Sequence, residues 1–246
     1  MMINNASTKV SPEFSIVVPV KDRVRELQDT LKSIRSQTFM AWECLLVDDG
    51  STAENVQKMQ EFISSDSRFR FIRRNKDLSG ANVCRNIGWQ VARASWVIFL
   101  DSDDQLHSEC LGGRLEHITK KHDIDLVISG TLEFESQPGD RDILCNVWTD
   151  VDPVSRFLML DMPWSTTGVT WHKRALTMID GWDERLQSWQ DWDIGIRALL
   201  FGIRYGHSGK VDSYWRIPSP NRRTIGADSC SLMHTREHVS LVLFTF

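Results

Sequence analysis

Five consecutive apolar residues, Trp96-Val97-Ile98-Phe99-Leu100, run directly into Asp101-Ser102-Asp103-Asp104. An unbroken apolar run of this length reads as a strand buried on both faces, which requires a sheet covered by helices on each side. The three carboxylates that follow are poor core material, because ionised groups resist burial unless paired or bound to a cation. In an open α/β sheet, ligands sit in the crevice beyond the carboxyl ends of the strands. Closely spaced oxygen ligands suit a hard divalent cation, Mg2+ or Mn2+, shared with a phosphate. An isolated Asp-x-Asp is more often a plain acidic turn, so the rest of the chain has to decide.

The first half repeats the pattern. Phe14 to Val20 is a buried strand closed by Pro19 at its exit, and Asp22 can cap the helix on which Val24, Leu27, Leu31 and Ile34 recur. Trp42 to Val47 is the next strand. It ends in Asp48-Asp49-Gly50-Ser51-Thr52, a polar turn before a helix carrying Val56, Met59, Phe62 and Ile63. Arg68 to Arg73 alternates as a half-exposed strand does, Gly80 to Ala94 is helical with Val83, Ile87 and Val91 inward, and Asp125 to Ser129 is a further strand. Alternating strands and helices predict a parallel α/β sheet with right-handed crossovers. Neither Gly-x-Gly-x-x-Gly nor Gly-x-x-x-x-Gly-Lys-Ser/Thr occurs. A nucleotide on this sheet would therefore be held by acidic turns and a metal.

Composition narrows the class. A chain of 246 residues with 41% hydrophobic and 25% charged residues can bury a full core, and a net charge of −4 argues against a nucleic-acid partner. Cys44, Cys84, Cys110, Cys145 and Cys230 show no Cys-x-x-Cys spacing and read as reduced, buried hydrophobes. The polar start, Met1 to Glu13, lacks the apolar core of a signal peptide, and Val239 to Phe246 is too short to span a bilayer. The expected location is cytoplasmic, with a peripheral position on the inner membrane face as its extension.

Five segments in order then carry a resemblance: Ile16-Val17-Val18-Pro19-Val20, Ser36-Gln37-Thr38, Leu46-Val47-Asp48-Asp49-Gly50-Ser51-Thr52, Arg85-Asn86-Ile87-Gly88 and Phe99-Leu100-Asp101-Ser102-Asp103-Asp104. Together they resemble a family 2 inverting glycosyltransferase of the GT-A type. The resemblance implies a Rossmann-like, mostly parallel sheet fused to a smaller acceptor region. It also implies a nucleoside-diphosphate sugar donor, with UDP-sugars as the leading class, and Mn2+ or Mg2+. By position, Pro19, Val20 and Asp22 would line the base pocket, and Asp49, with Asp48 beside it, would accept from the nucleobase. Arg85 would reach base or diphosphate, and Asp101, Ser102, Asp103 and Asp104 the ribose and metal, with Asp103 the main metal ligand helped by Asp101 or Asp104. A cation there stabilises the departing diphosphate, and a guanidinium adds bidentate bonds to phosphate oxygens. From the residues alone, Asp48-Asp49-Gly50-Ser51 also reads as an Asx-type turn and Arg85 as a solvated residue.

The second half is less regular. Glu133 to Asp152 is polar, with Gln137-Pro138-Gly139-Asp140 a turn and Asp142 to Trp148 a candidate edge strand. It marks a passage from a donor-binding half, 14–132, to an acceptor-binding half, 133–246, after an N-terminal extension, 1–13. Pro163 to Trp171 precedes a short helix through Ala175 and Leu176; then come Gly181-Trp182-Asp183-Glu184 and Gln190-Asp191-Trp192-Asp193, and a helix burying Ile196, Leu199 and Leu200 that Gly202 ends. In the resembling family a Gly-Phe/Trp-Asp-Glu turn precedes a Glu-Asp pair, which puts Asp191 at the catalytic base; the usual acid before it is Gln190 here. Such a base takes the acceptor hydroxyl's proton as oxygen attacks opposite the leaving group. Asp193 is the rival, but two residues on a helix point about 200° apart. Asp191 as a mere helix cap is the plainer alternative.

Most of the tryptophans of this half read as core, with Trp189 and Trp192 the acceptor-contact candidates. Arg222 or Arg223 could close over the diphosphate, His234 and His238 read as surface residues, and His207 or His234 is a remote candidate metal ligand. The expected function is metal-dependent sugar transfer to a hydroxyl of a glycan, lipid-linked glycan or polysaccharide. A non-catalytic nucleotide-sugar binding protein is the alternative, favoured by Gln190 alone. A sugar nucleotidyltransferase would need a glycine-rich triphosphate loop that Pro19-Val20-Lys21-Asp22 does not supply.

Overall fold

A computed structural model describes residues 11–217. The expected Arg222 or Arg223 contact, His234, His238, Cys230 and Val239 to Phe246 lie outside them. Strands β1 (Phe14–Val20), β2 (Trp42–Asp48), β3 (Phe69–Arg73) and β4 (Trp96–Phe99) pair in parallel in the order β3-β2-β1-β4. Helices α1 (Val24–Arg35), α2 (Ala53–Ile63) and α3 (Ala81–Val91) connect them. The period-two alternation of β1 divides the core. Phe14, Ile16, Val18 and Val20 pack with Leu27, Leu31 and Ile34 of α1, while Val17 packs on the opposite face with Val83, Cys84 and Ile87 of α3. Both faces are therefore covered, as continuous apolar strands require.

The sheet then changes character. After β5 (Gln105–Leu106) and α4 (Cys110–Lys120) come β6 (Leu126–Phe134), α5 (Pro153–Leu158), β7 (Val169–His172), α6 (Lys173–Met178), α7 (Gln190–Leu200) and β8 (Tyr205–Arg216). The complete order is β3-β2-β1-β4-β7-β6-β8-β5. β7 runs antiparallel to both β4 and β6, and β8 runs parallel to β6 and antiparallel to β5. β6 is longer than the expected Asp125 to Ser129, because its second half pairs with β8 past a register shift at Gly130. The expected edge strand at Asp142 to Trp148 reduces to a bridge between Leu132 and Leu144. Cys44, Cys84 and Cys110 are buried free thiols, and burial pushes Cys84 up to about 12.

The expected cap of α1 is corrected. That helix starts at Val24, its capping position is Arg23 and makes no side-chain cap, and Asp22 Oδ1 instead accepts from Thr52 N at 2.9 Å and Asn55 Nδ2 at 2.8 Å, at the start of α2. A left-handed Asp22, with φ 55°, turns its carboxylate that way. The bonds from Asn55 and Thr52 hold its carboxyl below the usual range.

Candidate active site

The carboxyl ends of β1, β2 and β4 bring three acidic turns together. Pro19, Val20 and Ser102 are buried there. Asp48 is buried and accepts from Gly50 N at 3.3 Å and Ser51 N at 3.1 Å, so this carboxylate shapes its own turn. Asp49 faces the other way. Its Oδ1 accepts from Gly80 N, the residue before α3, at 3.0 Å and lies 2.7 Å from Arg74 Nε.

The turn after β4 separates its three acids. Asp101 accepts from Arg85 Nη2 at 2.7 Å. Asp103 accepts from Arg23 Nη1 at 2.9 Å. Asp104 is buried beneath them, taking Thr167 Oγ1 at 2.7 Å on Oδ2 and Arg216 N at 3.0 Å on Oδ1. Burial, with the charges of Asp103 and Asp101 beside it, pushes the Asp104 carboxyl well above the usual range. Asp104 is thus bonded into the scaffold through Thr167 and Arg216. Among the described residues, no group of three or more His, Cys, Asp or Glu side chains is arranged to hold a metal ion. Hard oxygen donors remain on Asp101 and Asp103, each facing a guanidinium where positive charge is wanted. That donor set fits a cation whose remaining ligands come from a bound phosphate. His207 stacks on Trp148 with ring centroids 4.7 Å apart.

Arg85 is not the solvated residue that the plain reading allowed. It is 3% exposed, and besides Asp101 its Nη1 donates to Gln190 Oε1 at 3.1 Å and to Asn82 Oδ1 at 3.3 Å. Its guanidinium lies 4.4 Å from the centre of the Trp182 ring. One side chain thus spans from the turn after β4 to the residue preceding Asp191.

Asp191 sits in the first turn of α7 and lines a cavity with Trp164, Thr166, Val169, Trp171, Trp182 and Ile194. Thr166 Oγ1 donates to its Oδ1. Enclosure of the carboxyl raises its pKa; the Arg85 guanidinium and the Thr166 bond restrain that rise, while Asp101 adds to it. Asp193 points elsewhere, as helical geometry demands, and pairs with Arg197 Nη2 at 2.5 Å. Of the acceptor-contact candidates, Trp192 is core: it is 1% exposed and donates from Nε1 to Phe157 O at 2.6 Å. Trp189 is partly buried against the same core.

The Gly181-Trp182-Asp183-Glu184 turn is held by α3. Asn86 Nδ2 donates to Trp182 O at 2.8 Å and Glu184 Oε1 at 3.0 Å, and Asn86 Oδ1 accepts from Trp182 N at 3.0 Å. A Cβ on Gly181, where φ is 62°, would lie 2.6 Å from Asn86 Oδ1, so glycine is required twice over. Arg23, Arg74, Asn86 and Thr166 were not singled out from the sequence. Asn86 lies inside the quoted Arg85-Asn86-Ile87-Gly88 segment, whereas nothing local marks Thr166.

Comparison with known proteins bears on the fold and the family. Glycosyltransferase GlyG of Streptococcus pneumoniae is 28% identical over 131 residues, 53% of this chain and 43% of GlyG. The chain spans about half the length, or less, of the curated relatives it matches. Among solved structures, S. aureus TarS residues 1–349 in complex with UDP-GlcNAc superposes with a TM-score of 0.68 at 21% identity, over 85% of this chain and 60% of that one. Mannosyltransferase PcManGT from Pyrobaculum calidifontis, in complex with GDP-Man and Mn2+, superposes with a TM-score of 0.64 at 13% identity, over 86% of this chain and 59% of that one. These likenesses identify the fold as the GT-A fold of glycosyltransferases. The Glycosyl transferase family 2 description matches residues 15–144, and the chain belongs to that family.

Proposed function

We propose that this glycosyltransferase transfers a sugar, with inversion, from a nucleoside-diphosphate sugar to a hydroxyl of a glycan, lipid-linked glycan or polysaccharide, and that a divalent cation takes part. The observation that carries the reading is Arg85, buried and bonded both to Asp101 of the donor-side turn and to Gln190 at the start of the helix bearing Asp191. It couples a site for a diphosphate to a carboxylate near which an acceptor would sit. Residues 14–132 would bind the donor and 133–246 the acceptor.

Each group has one task in this reading. Asp49, whose bonds meet Oδ1, offers its other oxygen to a nucleobase N–H, with Pro19, Val20 and Asp22 beside it. Asp101 and Ser102 face the ribose, and Asp103 with Asp101 would hold Mn2+ or Mg2+. The cation would supply positive charge for the departing diphosphate. Arg85 places a guanidinium on the same charge. Asp191, ionised, accepts the acceptor's proton. A raised pKa makes it a stronger base than a solvated carboxylate, and transfer is lost as pH falls through that pKa. The accompanying location is the cytoplasm, at the inner membrane face when the acceptor is lipid-linked.

The test is nucleotide release from UDP-glucose, UDP-N-acetylglucosamine and GDP-mannose with simple hydroxyl acceptors, in Mn2+ or EDTA. Wild type is compared with Asp103→Ala and Asp191→Asn. One donor should be turned over only with metal and by neither variant, while Asp191→Asn still binds that donor. Its rate should have an acid limb above the usual carboxylate range. Binding without release under every condition, unchanged in Asp191→Asn, would instead make the chain a nucleotide-sugar binding protein.

A further inference from the structure

The tetrapeptide Ser165-Thr166-Thr167-Gly168, which leads into β7, is tied down at every residue. Ser165 Oγ shares a hydrogen bond with Thr131 Oγ1 at 2.6 Å and accepts from Gly168 N at 3.2 Å. A Cβ on Gly168 would stand 2.6 Å from Ser129 O, so the chain passes there only as glycine. Thr167 Oγ1 reaches Asp104 under the acidic turn, and Thr167 O accepts from Arg114 Nη2 at 3.0 Å. Arg114 is wholly buried, pairs with Asp212 at 2.9 and 2.6 Å, and donates to Thr170 Oγ1 at 3.1 Å. The peptide is thus bonded below to β6 and α4, and its one remaining hydroxyl, on Thr166, meets Oδ1 of Asp191.

An aspartate held only by its helix backbone retains a broad torsion about its carboxylate. The charges facing Asp191, Arg85 from α3 and Asp101 from the turn after β4, act on its ionisation through space. A directional bond from a rigid loop does something further, because it fixes the carboxylate plane. Proton transfer depends on that plane, since the accepting lone pair must lie on the line to the acceptor hydroxyl.

We propose that Thr166 is a positioning residue for sugar transfer: by holding Oδ1 of Asp191 it directs Oδ2 at the acceptor hydroxyl. This rests on the reading of Asp191 as the base. The hydroxyl proton passes to Oδ2 while its oxygen bonds to the anomeric carbon, and the diphosphate oxygen leaves with the electron pair of the broken bond. Unlike the acidic turns, Thr166 is assigned to neither donor nor metal, so its removal should slow the reaction without weakening donor binding.

Wild type, Thr166→Val, Thr166→Ser and Asp191→Asn are compared on whichever of the three nucleotide sugars is turned over. Binding of the corresponding nucleoside diphosphate is measured by calorimetry to report an intact site. Thr166→Val is expected to lower kcat by about ten- to a hundredfold with donor KM unchanged. Its acid limb should move to higher pH, because a hydrogen bond to the ionised form is gone. Thr166→Ser should restore both. Should valine prevent folding, Thr166→Ala carries the same expectations. Wild-type kcat and an unmoved acid limb in the valine or alanine variant, with Asp191→Asn inactive, would overturn the role of Thr166 alone. Full activity of Asp191→Asn would overturn the base reading, and the role of Thr166 with it.

Discussion

A carboxylate far from the site shows how one residue can stabilise this sheet. Glu43, 1% exposed near the start of β2, accepts from Ser15 Oγ at 2.7 Å, Arg93 N at 2.6 Å and Arg93 Nε at 2.7 Å. Burial is the largest single influence on it and raises its pKa, but the Arg93 and Ser15 bonds together outweigh burial and the net shift is downward. A depressed folded-state pKa means that the stabilisation is present above the ordinary value of 4.5 and is lost as pH falls through the folded one. Glu43→Gln should therefore cost about 1–3 kcal/mol at neutral pH, because the Arg93 and Arg70 guanidiniums it leaves are half-exposed and stay solvated, with the gap to wild type narrowing in acid, as read by urea unfolding at several pH values. Residues of this kind are hard to see from sequence. Glu43 reads as one polar position in an apolar strand, and Asp104 reads like its neighbours in the acidic turn. What distinguishes Asp104 is Thr167 and Arg216, 63 and 112 positions further on.

At the level of elements, α3 is the most heavily used. Arg85 bridges the site, Asn86 pins the 181–184 turn, Ile87 packs in the core, and Gly88 allows the helix to lie against β1. A Cβ at position 88 would come within 2.3 Å of Val17 Cγ1 and 2.9 Å of Val17 Cγ2. Gly88→Ala should lower stability by about 1–3 kcal/mol in thermal unfolding, through overpacking. Helices and strands with a strong apolar period were legible from sequence, α3 and β1 to β4 among them, because their burial is decided largely by their own residues; Val91, expected inward at the end of α3, is instead 45% exposed. β8 was legible only at its end, where Tyr214-Trp215-Arg216 reads as a strand end. Its twelve residues, Tyr205–Arg216, include Gly206 and Gly209 and carry little apolar period, and pairing with β6 makes them a strand. The acidic turns were legible for the same local reason, while Thr166 depends on a contact across 25 positions.

On the scale of the whole molecule, one sheet of eight strands joins the two expected halves, and β6, residues 126–134, crosses the line between them. Arg114 and Asp212 form a buried ion pair between α4 and β8, with side chains 0% and 8% exposed. Arg114→Met leaves a buried charge unpaired and should cost about 3–5 kcal/mol, measured by denaturant unfolding; Arg114→Met with Asp212→Leu should recover much of that loss. The 181–184 turn has a related dependence, since its conformation is dictated by Asn86, almost a hundred positions earlier. A chimera that took residues 133–246 from a relative with a different acceptor would inherit a turn shaped for a foreign helix. On the proposed division of the chain, exchanging residues 133–246 therefore calls for transplanting α3 as well.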